Sequence, residues 1–458
     1  MNFRKLTPTT LVLLLFVAIQ CSSRLAAQQQ PADEQDHQVT VKFTTLINFD
    51  GTNGGNPAGP LIQGPDRNLY GTTFDGGSNT NSNCPGITCG TFFKMSLRGE
   101  LTTLYNFCSR TNCADGAAPA GPLVLGNDGS FYGITEVGGA NGAGTVFKIT
   151  PAGTLTTIYN WCSQPNCADG AYTFFPEAGT FVQATDGNFY GTNDGGGNNF
   201  SGTAFRLTPH GVLTTLHSFC SQTNCADGEF PTGLIQARDG NFYGTALFGG
   251  TNGDGTVFRI TPGGTLTTVY NFCSQTNCTD GAVPNNPLIQ ARNGDLYGTA
   301  SAGGSSPNPN GTVFKINAQG VLTTLYNFCS LPDCADGASP SSSLIQAADG
   351  KFYGSTGGLN SGSVTNGITA FRLTRKGKLT TLHTFDQQFQ GPEALVQATN
   401  GIFYGVTAEG GQYNSCAGLF CGTIFELAVC GHEDQQDEFC EDQAALKRPA
   451  SEGLIDRP

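Results

Sequence analysis

Sixteen of the seventeen cysteines in this 458-residue chain fall into eight close pairs. The pairs are Cys84/Cys89, Cys108/Cys113, Cys162/Cys167, Cys220/Cys225, Cys273/Cys278, Cys329/Cys334, Cys416/Cys421 and Cys430/Cys440. Cysteines this close in sequence can form local disulfide bonds or supply thiolates to a metal ion. Zinc sites favour shorter spacings and need two such pairs that meet in space. The pattern therefore favours eight local disulfide bonds, which are typical of an oxidising compartment.

An aspartate follows five of these pairs at a constant distance. The five are Asp115, Asp169, Asp227, Asp280 and Asp336. They could bind calcium or, in a circular repeat, form a ring of acids at a channel mouth. Calcium needs several converging oxygens, and one acid per loop does not supply them. The favoured interpretation is an Asp-Gly turn whose carboxylate accepts local backbone N–H groups. We therefore expect no cofactor. If these candidate binding-face residues held a metal ion, it would be calcium.

No known arrangement of catalytic residues is recognisable in the sequence. The histidines are His37, His210, His217, His383 and His432. His217 and His383 stand where other repeats carry a tyrosine, so packing explains them. Ser/His/Asp order, HExxH and the nucleophile elbow are not found. The sequence therefore predicts neither catalytic residues nor a metal centre.

The stretch from Leu234 to Cys278 is the unit that positions these residues, and it recurs along the chain. It reads as four antiparallel strands, a to d, rich in β-branched and aromatic residues. Asp239-Gly240 joins strands a and b and predicts a tight hairpin of type I′. Strand c spans Gly255 to Ile260, and strand d spans Leu266 to Phe272.

The period of the repeat predicts a β-propeller. A Tyr-Gly pair in strand b recurs 51 to 62 residues apart, at Tyr70, Tyr132, Tyr190, Tyr243, Tyr297, Tyr353 and Tyr404. Four strands at such a period fit one propeller blade. The chain opens with a d strand (Thr44 to Phe49) and closes with a c strand (Gly422 to Leu427). We therefore predict seven four-stranded antiparallel blades in an all-β fold, closed by the N-terminal strand, which removes the open edges.

The repeat motif resembles the GloVer tandem repeat of bacterial extracellular choice-of-anchor proteins. The matching residues are FYGT at 242–245, GTVFRITP at 255–262 and LTTVYNF at 266–272. The resemblance covers seven copies. It implies an exported, propeller-like protein that is usually attached to a surface, and it implies no catalytic residues.

The segments outside the repeats indicate export. Residues 1–27 read as a signal peptide, because Arg4 and Lys5 precede an apolar run too short to span a membrane. Lipid anchoring through Cys21 is disfavoured, since Gln20 replaces the small residue of a lipobox. Residues 28–40 form a polar spacer, 41–429 the propeller and 430–458 an acidic tail without an apolar anchor. The expected location is therefore extracellular or periplasmic.

Composition and loop placement narrow the partners. The net charge of −13 argues against nucleic acid and anionic membranes. The long, disulfide-bearing loops are all predicted on one face, opposite the tight turns, and loops on a rigid scaffold carry function. The leading hypothesis is a monomeric, non-catalytic binding or scaffold propeller for a glycan, peptide or protein. A polysaccharide lyase or hydrolase with carboxylates at the channel mouth, and a purely structural envelope protein, are the alternatives.

Overall fold

The computed structural model of the chain describes residues 39–430 except 83, 85–87, 172–180, 359–366, 387–391, 393–394 and 417–419. Val41–Val429 forms one compact unit. The described strands make seven antiparallel sheets. The predicted propeller of seven blades is confirmed.

Each blade has the strand order a-b-c-d. From blade 1 to blade 7, the a strands are Gly55–Pro57 with Ile62–Gln63, Ala117–Leu125, Phe181–Gln183, Glu229–Gln236, Ile289–Gln290, Ile345–Gln346 and Val396–Gln397. The b strands are Leu69–Asp75, Phe131–Val137, Phe189–Asn193, Phe242–Phe248, Leu296–Ala300, Phe352–Ser355 and Phe403–Thr407.

The outer half of each blade is more regular. The c strands are Thr91–Met95, Thr145–Ile149, Thr203–Leu207, Thr256–Ile260, Thr312–Ile316, Thr369–Leu373 and Thr423–Cys430. The d strands are Leu101–Asn106, Leu155–Asn160, Leu213–Ser218, Leu266–Asn271, Leu322–Asn327, Leu379–Thr384 and, for blade 7, Thr40–Asn48. Short 3-10 helices follow five d strands at Thr111–Cys113, Pro165–Cys167, Thr223–Cys225, Thr276–Cys278 and Pro332–Cys334.

The N-terminal strand closes the ring. Thr40–Asn48 pairs with Thr423–Cys430 in the seventh sheet, as the strand count predicts. The seam is also tied on the opposite side of the blade, where the Thr399 backbone N–H donates to Gln63 Oε1 at 2.9 Å. Closure leaves no unpaired c strand exposed between the first and last repeats.

Aromatic side chains from strands b, c and d hold neighbouring blades together. The strand-b tyrosine packs on the first residue of the next strand b, as in Tyr70 against Phe131 at 4.3 Å between ring centroids. The aromatic residue after strand d packs on the Phe of the next strand c, as in Trp161 against Phe205 at 5.1 Å. The strand-b tyrosines therefore serve to pack neighbouring blades against each other.

The a–b turns differ from the predicted type I′ hairpin. In blade 4 the Gly240 N–H donates to Ala237 O, and the Ala237 N–H donates to Asn241 O. Gly240 has φ +81°, whereas Asp239 is not among the residues with positive φ. This is a three-residue loop that ends on a left-handed glycine. The Asp239 carboxylate stabilises it by accepting from the Asn241 N–H and the Tyr243 hydroxyl, both at 3.0 Å.

Candidate functional site

The d–a and b–c loops meet on one side of the propeller, called the loop face below. In blade 2 the Gly139 N–H of the b–c loop donates to Cys113 O of the preceding d–a loop at 2.8 Å. The same contact joins Gly250 to Cys225 at 2.8 Å in blade 4. The long loops of neighbouring strands thus support one another on a shared surface.

Seven of the predicted cysteine pairs are bonded in the structure. The bonds are Cys84–Cys89, Cys108–Cys113, Cys162–Cys167, Cys220–Cys225, Cys273–Cys278, Cys329–Cys334 and Cys416–Cys421. In the eighth predicted pair, Cys430 ends the last strand and Cys440 lies outside the described residues. Five of these bonds close the d–a loops 108–115, 162–169, 220–227, 273–280 and 329–336, called the cysteine loops below.

The five aspartates of the cysteine loops are buried inside their own loops. Asp115, which is 0% exposed, accepts the Tyr105 hydroxyl at 2.6 Å and the Ser109 N–H at 2.9 Å through Oδ2. Its Oδ1 accepts the Arg110 N–H at 3.0 Å. Asp169, Asp227, Asp280 and Asp336 make the corresponding contacts. These carboxylates therefore shape the loops and do not present oxygens to solvent.

Burial also changes the pKa values of the strand-d side chain and of the aspartate that it contacts. Burial, and then the hydrogen bond to Asp115, raises the pKa of Tyr105 to about 12. In the third cysteine loop His217 takes the tyrosine position, as predicted, with Nε2 at 2.9 Å from Asp227 Oδ2. Burial alone would raise the pKa of Asp227, but hydrogen bonds from Ser221, Gln222 and His217 outweigh it and lower that pKa. Asp227 is therefore held as a carboxylate.

Each cysteine loop exposes the four residues between its cysteines. These exposed tetrapeptides are Ser-Arg-Thr-Asn at 109–112, Ser-Gln-Pro-Asn at 163–166, Ser-Gln-Thr-Asn at 221–224 and 274–277, and Ser-Leu-Pro-Asp at 330–333. Their last residue adopts a left-handed conformation in every copy, with φ between 55° and 58°. Five copies of one exposed backbone shape thus surround part of the loop face.

The junction from blade 7 to blade 1 has no cysteine of its own. Asp50 Oδ1 accepts the Thr52 N–H at 2.8 Å and the Asn53 N–H at 3.0 Å. The disulfide-closed b–c loop of blade 7 covers this junction, because Ser415 Oγ donates to Asp50 O at 2.6 Å. The junction between blades 6 and 7 also has no cysteine in its sequence, and it lies mostly outside the described residues.

A central cavity of about 490 Å³ runs between the innermost strands. All seven blades contribute to its lining, for example Pro57, Leu123, Phe181, Leu234 and Ala408. The described residues that line it are apolar, glycine, asparagine or serine, and none of them carries a charge. Within the described part of the chain, the channel wall thus offers no ring of acids.

Two carboxylates depart from the repeat near the channel. Glu136 and Asp194 occupy the sixth position of strand b or its continuation, where the other blades carry Phe74, Leu247, Ser301, Gly357 and Ala408. Phe74 and Ala408 line the cavity. Burial, and then the charge of Asp194, raises the pKa of Glu136 to about 7. Sequence reasoning missed Glu136, although aligning the seven b strands exposes it as a charged residue at an uncharged position.

The remaining sequence candidates take structural roles. Asn252 of the glycine-rich b–c loop donates through Nδ2 to Phe272 O at 2.8 Å and ties that loop to the residue that follows strand d. His383 stacks on Phe43 of the N-terminal strand at 3.8 Å between ring centroids. Burial lowers the pKa of His383, against the charge of Asp386. His210 lies in a c–d turn, away from the loop face.

Comparison with solved structures supports the architecture. The chain is similar to the extracellular domain of a hybrid two-component system of B. thetaiotaomicron, at 11% identity and a TM-score of 0.51, over 84% of this chain and 39% of that one. It is also similar to a copper-bound fungal alcohol oxidase of the AA5 family, at 11% identity and a TM-score of 0.51, over 86% and 76% of the two chains. At this identity the likeness shows the fold alone.

Sequence comparison identifies the repeat. Among the residues the structure describes, no helix is long and apolar enough to cross a membrane. The search of curated proteins yields no match. The model of the Gloeobacter/Verrucomicrobia repeat matches residues 37–181 and 176–425, nearly the whole propeller. The chain belongs to the Gloeobacter/Verrucomicrobia repeat family.

Proposed function

We propose that this protein is an exported, non-catalytic binding propeller whose loop face holds a neutral glycan or peptide. The observation that carries the proposal is the set of five exposed tetrapeptides in the cysteine loops. Their backbone is fixed twice, by a disulfide bond and by a buried aspartate. Loops that are ordered before binding lose less entropy when a ligand arrives, so the affinity gained per contact is larger.

The chemistry of the exposed tetrapeptides favours uncharged partners. Their side chains are mainly Ser, Gln, Thr, Asn and Pro, and the aspartates beside them face inward. Hydroxyl and amide groups pair with sugar hydroxyls or peptide groups without needing a counter-charge. Five copies at successive blade junctions would also suit a repetitive polymer, because linked sites raise the effective concentration for each further contact.

The disulfide bonds and the N-terminal sequence support the export part of this proposal. Seven disulfide bonds in a chain of this size are expected in an oxidising compartment. Residues 1–27 have the charge and apolar pattern of a signal peptide. Mass spectrometry of the chain recovered from outside the cytoplasm should give a new N-terminus near Ala27, and retention of the intact leader in that fraction would contradict export.

A glycan and peptide array, followed by calorimetry, tests the binding proposal. We expect a neutral ligand whose affinity changes less than about threefold between low and high salt, because few charges are available for screening. C220S/C225S should weaken binding more than it lowers the melting temperature, whereas C416S/C421S, outside the cysteine loops, should leave binding unchanged. A ligand that maps to the side opposite the loop face, near His210, or binding that is lost at high salt, would contradict the proposal.

A second candidate function rests on Glu136. A carboxyl group with a pKa raised to about 7 beside a second carboxylate is a pattern found in general acids of polysaccharide-active enzymes. The experiment is to incubate the protein with neutral polysaccharides and to measure new reducing ends. Turnover that is abolished by E136Q and kept by E100Q, an exposed glutamate in a c–d turn, would favour the enzyme. Absence of turnover in the wild type would favour binding alone.

A further inference from the structure

Two disulfide bonds meet at one place on the loop face. Cys84–Cys89 closes the b–c loop of blade 1, and Cys108–Cys113 closes the cysteine loop that follows the same blade. The four Sγ atoms all lie within 4.8 Å of one another. The other potential metal-ligand clusters of the described residues combine one disulfide pair with a single carboxylate. A zinc site needs two cysteine pairs that lie close together in space, and this is where two pairs do so.

The sulfur positions suit a tetrahedral metal ion. Four thiolates bound to zinc at about 2.3 Å place their sulfur atoms about 3.8 Å apart. The four sulfur atoms are already gathered within 4.8 Å, so small side-chain rotations would bring them to that spacing after the disulfide bonds are reduced. The metal would also cross-link the b–c loop to the cysteine loop, which the two local disulfide bonds do not do.

The surroundings suit a closed structural site. Cys89 and Cys113 are 0% exposed, and they pack in a core cluster with Phe92 and Phe107. Solvent would therefore have little access to two of the four ligands, as in structural zinc sites. The loop from Cys108 to Cys113 also contains Arg110, whereas the other four cysteine loops carry Gln or Leu at that position. A tetrathiolate zinc centre has a net charge of −2, which a nearby arginine would partly offset.

We propose that Cys84, Cys89, Cys108 and Cys113 bind one zinc ion when the two disulfide bonds that join them are reduced. The reductant is a trialkylphosphine in the experiment below. Each phosphine takes up one water oxygen, becomes the phosphine oxide and converts one disulfide into two thiols. Zinc then displaces four thiol protons to give the tetrathiolate complex.

Cobalt titration of the reduced full chain tests the proposal, because Co²⁺ reports its ligand set by absorption. Under anaerobic conditions with a phosphine, we expect one tight equivalent with the spectrum of a tetrahedral tetrathiolate, displaced by one equivalent of Zn²⁺. The tight equivalent should be lost in C84S/C89S and in C108S/C113S. It should persist in C162S/C167S, which removes a pair that meets no second pair among the described residues.

Reduction of all the cysteine pairs could unfold the propeller, so a second variant is needed. A chain that keeps only these four cysteines, with the others replaced by Ser, isolates the cluster from competing thiols. One equivalent of tetrathiolate cobalt in this variant supports the site, together with retained β-sheet circular dichroism. Absence of binding there, or a wild-type stoichiometry that C84S/C89S does not change, overturns the proposal.

Discussion

The junctions from blade 1 to blade 2 and from blade 7 to blade 1 begin and end in the same way. Each begins at an aromatic residue that packs on the next strand c, with Phe107 5.1 Å from Phe147 and Phe49 5.6 Å from Phe93. Each ends at a glycine with positive φ, Gly116 and Gly54 respectively. The space beside each of these glycines is filled by a strand-b and a strand-c threonine, so a side chain there would collide with them.

The segments between these shared ends have different lengths. The cysteine loop uses residues 108–115, whereas the junction from blade 7 to blade 1 uses only residues 50–53. Both contain one aspartate whose carboxylate accepts two backbone N–H groups of its own loop. Closing a blade junction therefore requires an aromatic residue, an acid and a glycine. The disulfide bond and the exposed tetrapeptide are additional, which supports a role for them in binding.

The largest expected effect comes from breaking the closure itself. Deleting residues 40–48 removes the d strand of blade 7 and leaves Thr423–Cys430 as an exposed edge. We expect aggregation and loss of the cooperative melting transition, measured by size-exclusion chromatography and calorimetry. Deleting residues 28–38 is the control. A monodisperse 40–48 deletion with an unchanged melting temperature would argue against closure by this strand.

The shared aromatic contacts should give the next largest effect, and it should be equal at the two junctions. F49A and F107A each remove a fully buried ring, which costs about 3–5 kcal/mol in the free energy of unfolding. F200A, at a ring that is 65% exposed, is the control and should change stability little. Denaturant unfolding measures all three. A much smaller loss in F49A than in F107A would show that the shorter junction is not built on the same contact.

Removing the aspartate should destabilise the two junctions to different extents. D115A leaves two N–H groups and the Tyr105 hydroxyl without their buried acceptor, which should cost about 3 kcal/mol. D50A should cost less than about 1 kcal/mol, because the Thr52 N–H and hydroxyl that donate to Asp50 are exposed and can bond to water instead. Chemical unfolding measures both variants. Equal losses would mean that burial of the carboxylate does not matter.

Much of this architecture could be predicted from the sequence, because the motif of each strand recurs in seven repeats. The spacing of the Tyr-Gly pairs and the unpaired first strand d were sufficient for seven blades and their closure. The contact from Asp115 to Tyr105 could not be predicted, since it depends on a loop that folds back over ten residues. The a–b turn was predicted wrongly because Asp-Gly also fits a three-residue loop. Glu136 was missed because its significance depends on comparing one strand position across all blades.

Acid should weaken both kinds of junction, since the pKa values of Asp50 and Asp227 are both lowered. For each, burial acts to raise the pKa and hydrogen bonds overcome it, those to Asn53 and Thr52 for Asp50. A lowered folded-state pKa stabilises the fold above the unfolded value of about 3.9, and this contribution is lost as the pH falls below it. We expect D50N and D227N to lose less stability than the wild type between pH 6 and pH 3. Parallel pH profiles for wild type and variants would contradict this.

The smallest effect on stability is expected from exchanging one junction for the other. Residues 220–227 are replaced by Asp-Gly-Thr-Asn, the sequence of residues 50–53, and His217, which would lose its Asp227 partner, by Ile, the residue at the matching position 47. The graft loses a disulfide bond whose small loop contributes about 2 kcal/mol at most, and it regains part of this through a shorter connection. It keeps an acid and both flanking contacts, so unfolding should change by about 1 kcal/mol or less. Ligand affinity on the loop face should nevertheless fall, because one exposed tetrapeptide is gone. A second variant, Q222A/T223A, keeps the loop and removes only two exposed side chains. If the graft and Q222A/T223A both bind as the wild type does, the cysteine loops are not the binding surface. If the graft fails to fold, the junctions are not interchangeable and the comparison between them does not hold.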